Sequence, residues 1–64
     1  MNEPTERQLQ IARLINDGMN IPEAAAHLGV HPNTVKNAML YLRKKLGVEK
    51  TRHVGPALRE RGML

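Results

Sequence analysis

Sixty-four residues, no cysteine, one aromatic side chain and a formal net charge of +4 describe a single small domain. This composition excludes a disulfide scaffold and a thiolate metal site, and it removes the aromatic platforms on which RRM and OB-fold proteins stack bases. His27, His31 and His53 lack metal-ligand spacing, so neither a metal site nor a cofactor is expected. No apolar run approaches the roughly 18 residues of a membrane span. The polar opening MNEPTERQ has no targeting character, and a soluble, cytoplasmic chain is expected. Strand-forming residues are scarce and never alternate with polar ones, so the fold class is all-α.

Residues 1–4 read as a loose arm. Thr5 and Gln8 then have the spacing of a capping box, which starts a helix at residue 6. That helix runs to about residue 17, burying Ile11, Ala12, Leu14 and Ile15. Leu9 falls outside the buried arc and reads as an isolated exposed leucine. Gly18 suits the residue just past the helix end. Asn20 followed by Glu23, with Pro22 in the first turn, starts a second helix over 21–28. Its inward residues are Ala24, Ala25 and Leu28, small enough for a close helix crossing. Gly29 breaks it and Val30 plugs the turn. His31 takes the N-cap and Pro32 the first position of a third helix, over 32–46, which Gly47 ends.

The third helix is amphipathic in an unusual way. At 100° per residue, Val35, Met39, Leu42 and Leu46 share one face, with Ala38 at its edge. Asn33, Lys36, Asn37, Leu40 and Lys44 share the opposite face. Amides and ammonium groups are the side chains that read base edges and hold phosphates. A helix of small residues, a tight glycine turn and this helix make a helix-turn-helix unit over about 21–46. On this reading Lys36 and Asn37 read bases, and Leu40 meets a thymine methyl. Asn20, His31, Asn33, Thr34, Tyr41, Arg43 and Lys44 hold the DNA backbone, aided by free N–H groups at the helix start.

Beyond Gly47, Val48 is expected to tuck onto the core, with Glu49 and Lys50 a surface link. Thr51 is a candidate cap for a fourth helix, with Val54, Ala57 and Leu58 its apolar positions. Gly55-Pro56 interrupts that pattern, so the fourth helix is expected to start at Pro56 or to be irregular over 52–55, and in either case to be short. It closes at Arg61, with Gly62 past its end.

Charge supports a polyanion partner. Residues 1–35 carry two cations against four carboxylates, net −2, and residues 36–64 carry eight against two, net +6. No nucleophile–base–acid set is visible, and so short a chain could barely enclose a pocket, so an enzyme is not expected.

The segments Leu14-Ile15 with Gly18, Glu23 with Ala25, Leu28-Gly29-Val30, Asn33-Thr34-Val35-Lys36-Asn37, Lys45-Leu46-Gly47-Val48 and Gly62-Met63-Leu64 carry a family resemblance. Over residues 4 to 64 the chain resembles the DNA-binding domain of LuxR-type (GerE-like) transcription regulators. The resemblance implies a single four-helix domain spanning 1–64, with the third helix in the major groove of double-stranded DNA. It also implies a homodimer formed through the fourth helix, here Val54, Ala57, Leu58 and Arg61. The chain departs from the family pattern at Leu9, Pro22, His31, Ala38, Leu40 and Gly55-Pro56. The expected function is sequence-specific regulation of transcription. The competing one is a protein-interaction module that binds RNA polymerase or another transcription factor, suggested by Leu9, Leu40 and the absent lysine at position 22.

Overall fold

The computed structural model describes residues 4–64, so most of the expected N-terminal arm lies outside the described residues. Those residues form four α-helices and one 3-10 turn and no strand: α1 (Glu6–Asn16), α2 (Ile21–Leu28), α3 (Pro32–Leu46), the turn (Thr51–His53) and α4 (Val54–Glu60). Local side-chain chemistry sets the starts of the first three helices. Thr5 accepts the Gln8 N–H at 3.1 Å while Gln8 Oε1 accepts the Thr5 N–H at 2.8 Å. Asn20 and Glu23 repeat the exchange at 2.8 and 3.0 Å. His31 Nδ1 accepts the Asn33 N–H at 3.0 Å, and Pro32 has no N–H to satisfy.

The helix ends share one device. Each of α1 to α4 is followed by a glycine at positive φ and then an apolar residue whose N–H returns to a carbonyl inside the helix. The pairs are Met19 to Leu14, Val30 to Ala25, Val48 to Arg43 and Met63 to Leu58, at 2.9–3.1 Å. This is the Schellman closure. Gly29 and Gly47, both at φ 69°, stop α2 and α3 in a backbone region that side chains disfavour. Met19, Val30, Val48 and Met63 all pack on the core, so every helix end also folds the chain back inward.

The core is built from Ile11, Val35, Leu42, Val54 and Leu58, filled in by Ala12, Ala24, Ala25, Ala38 and Met39. No polar or charged side chain of the described residues is buried. Alanines where α1, α2 and α3 meet let these helices approach closely, as expected from Ala24 and Ala25. Leu9 differs from its sequence reading. It is half-buried and packs against the core rather than standing alone in solvent.

The start of α4 also differs. Thr51 does not cap it; Thr51 opens the 3-10 turn, its carbonyl accepts the Val54 N–H, and neither the turn nor α4 has a side-chain cap. The helix begins at Val54, two residues before Pro56. Pro56 then lies in the first turn, where the missing N–H had no helical partner to lose. The expected irregularity is this 3-10 lead-in, and α4 is short, at 7 residues. Gly55 has a separate reason to be glycine. It is buried, and a Cβ there would run into the Asn16 side chain, meeting Oδ1 first, Cγ at 2.6 Å and Cβ at 3.0 Å. The glycine lets α4 lie against the end of α1.

Candidate nucleic-acid interface

α3 buries Val35, Ala38, Met39 and Leu42 and leaves Asn33, Lys36, Asn37, Leu40, Tyr41 and Lys44 exposed. No acidic residue occurs along its 15 residues. Leu40 at 38 % and Tyr41 at 37 % are the only large hydrophobic residues exposed among those described. Both belong to this helix, among its exposed cations and amides.

Each backbone-contact candidate occupies a definite place. His31 is the exposed N-cap of α3. Because Nδ1 accepts from Asn33, the neutral ring carries its proton on Nε2, and that N–H is the donor left for a ligand. The amides of the first turn are already used, Asn33 N–H by His31 Nδ1 and Thr34 N–H by the His31 carbonyl at 2.9 Å. The expected free N–H groups are therefore not free, and an anion at this helix start would be held by the side chains of His31, Asn33 and Thr34. Asn20 spends its carbonyl oxygen on Glu23 N–H and keeps its amide N–H groups. The Glu23 carboxylate is held beside it, which opposes an anion there.

Arg43 is half-buried, and its Nη1 donates to the Glu49 carbonyl at 3.3 Å, tying the chain after Gly47 back to the helix. Among the described residues this is the hydrogen bond its guanidinium makes. A crevice on this flank is lined by Ile21, Lys36, Met39, Leu40, Arg43 and Thr51. The start of α2, the cationic flank of α3 and the 3-10 turn thus share one surface. By sequence alone Lys50 is a linker residue and Thr51 a cap; the one signal that sets this segment apart is the positive charge that continues through Lys50 and Arg52 past the end of α3.

The four residues expected at a dimer interface are dispersed. Val54 and Leu58 are 0 % exposed and belong to the core, so neither side chain is available to a partner. Ala57 is half-buried, and only Arg61 is fully at the surface. α4, at 7 residues, spends Val54 and Leu58 on the core against α1 and α3, which leaves Ala57 and Arg61 as its accessible members of that set.

Residues 3–50, covering α1 to α3, match the Homeodomain-like domain family, and the chain belongs to it. The match fits the observed helix-turn-helix and stops short of α4. No curated protein and no solved structure gives a significant match.

Proposed function

We propose that this homeodomain-like chain is a sequence-specific regulator of transcription that lays α3 in the major groove of double-stranded DNA. The observation that carries the reading is the exposed face of α3, with cations and amides, no carboxylate and a leucine near its middle. Lys36, Asn37 and Leu40 read base edges, Asn by a bidentate bond to adenine and Leu40 by contact with a thymine methyl. His31, Asn33, Thr34, Tyr41, Arg43 and Lys44 hold phosphates and set the register, with Asn20 a weaker contributor beside Glu23. The role is binding rather than catalytic.

Within the wider helix-turn-helix group, the NTVKN and KLGV segments and the presence of α4 favour a LuxR/GerE-type domain acting in the cytoplasm. A helix of this length reads few base pairs, so a homodimer on two half-sites is the assembly that gives useful selectivity. With Val54 and Leu58 buried, such a dimer forms on the operator rather than through an apolar α4 contact.

The pairing of Leu40 and Tyr41 favours one second reading, a surface for RNA polymerase or another transcription factor. Duplex binding measured across salt concentrations separates the two. DNA binding through several phosphates weakens steeply with salt, with a slope of about −0.9 per phosphate. Absence of duplex binding at low salt would leave the protein-interaction reading standing alone.

A further inference from the structure

Two crevices meet along one flank of α3. The first, about 140 Å³, lies between Ile21, Lys36, Leu40 and Arg43, and is bounded by Met39 and Thr51. The second, about 120 Å³, shares Met39 and Thr51 and continues past Arg52 to Asn16 and Gly55. Met39 and Thr51 line both, so the two lie side by side and together make up a furrow along that flank. It leaves the exposed face of α3 beside Leu40, crosses the 3-10 turn and ends where α4 lies against α1.

We propose that this furrow seats the sugar–phosphate backbone of one DNA strand, so that Thr51, Arg52 and the adjoining Lys50 form a second backbone anchor beside the recognition helix. The proposal rests on the DNA reading above and extends the contact to a part of the chain that reading did not use. The lining carries three cations, Lys36, Arg43 and Arg52, and no carboxylate. Ile21 and Met39 give it an apolar floor suited to deoxyribose, and the Thr51 hydroxyl is a neutral donor for a phosphate oxygen. Each crevice is well below the roughly 300–1,000 Å³ of pockets that enclose small molecules, which favours a chain lying across the surface. The bond from Arg43 to the Glu49 carbonyl ties the start of this segment to α3.

The test compares duplex binding over a salt series for the parent chain and for Arg52→Gln, Lys50→Gln, Thr51→Val and Lys44→Gln, with phosphate ethylation interference on the best-bound duplex. Arg52 and Lys50 are exposed, and circular dichroism of each variant verifies the fold. Arg52→Gln and Lys50→Gln each flatten the salt slope by about 0.9 per lost phosphate and weaken all duplexes by the same factor. Thr51→Val weakens binding roughly two- to tenfold at an unchanged slope. The interference pattern loses phosphates that Lys44→Gln retains. Parent slope and parent interference pattern in both Arg52→Gln and Lys50→Gln, alongside a flattened slope in Lys44→Gln, overturn the anchor and leave the DNA reading intact. Loss of binding to a poly-glutamate peptide with duplex binding unchanged identifies an acidic protein as the occupant and also overturns it. A parent chain that binds no duplex at low salt removes the anchor together with the DNA reading it rests on.

Discussion

Replacing Gly55 with alanine sets two magnitudes against each other. In a helix, alanine in place of glycine gains up to about 1 kcal/mol from backbone entropy. Here the added Cβ meets the Asn16 side chain, with Cγ at 2.6 Å and Cβ at 3.0 Å. The outer atoms of Asn16 can swing into solvent, because that residue is exposed. Its Cβ moves only if α1 or α4 moves, and overpacking of this kind costs about 1–3 kcal/mol. The clash exceeds the entropy gain, so Gly55→Ala destabilises by about 1 kcal/mol. In a domain of this size that lowers Tm by about 4–8 °C. The decisive assay is urea denaturation of Gly55→Ala in three backgrounds: parent, Asn16→Ala and Asn16→Gly. Asn16→Ala removes the outer atoms and leaves the 3.0 Å contact, so the loss shrinks. Asn16→Gly removes the contact entirely, and Gly55→Ala becomes stabilising. The coupling between the two sites is about 1–3 kcal/mol. Equal effects of Gly55→Ala in all three backgrounds would refute the idea that close approach of α4 to α1 is why position 55 is glycine.

Other consequences can be checked on the same protein. Asn37→Ala weakens binding by about 1–3 kcal/mol and relaxes preference at one base position, whereas Lys44→Ala weakens all sequences about equally; sequences selected from a random pool distinguish these, and exchanged outcomes would reverse the two roles. Replacing the relevant thymine by deoxyuridine removes only a methyl, which costs about 0.8 kcal/mol, roughly fourfold in affinity, and this difference vanishes in Leu40→Ala; a difference that persists in the variant assigns the methyl contact elsewhere. His31→Ala removes the cap acceptor for Asn33 N–H and lowers stability by about 1 kcal/mol in thermal melts, while His31→Asn, a strong cap, restores most of it; equal loss in both variants would show that capping is not the function of the ring.

Much of the molecule is legible without tertiary information, for local reasons. The bounds of α2 and α3 follow from Asn20 with Glu23, from His31 with Pro32, and from Gly29 and Gly47, because a cap or a left-handed stop involves residues within five positions of one another. The two faces of α3 follow from helical periodicity, so both its buried stripe and its exposed polar face are set by spacing along the chain. Charge asymmetry is additive over residues and needs no fold. Other features depend on what each residue is packed against. Leu9 lies outside the α1 buried arc on a helical wheel, yet it is half-buried and packs on the core. Pro56 is compatible with a helix from Val54 only because residues 51–53 form a separate 3-10 turn. Gly55 is required by Asn16, thirty-nine positions earlier in the chain. Val54 and Leu58 are apolar in either a core or a dimer interface, and burial against α1 and α3 assigns them to the core. Thr51 and Arg52 join the surface of α3 through folding alone. Periodicity and capping are short-range and survive in the unpartnered sequence, whereas burial and close approach are properties of pairs of segments that meet only when the chain is folded.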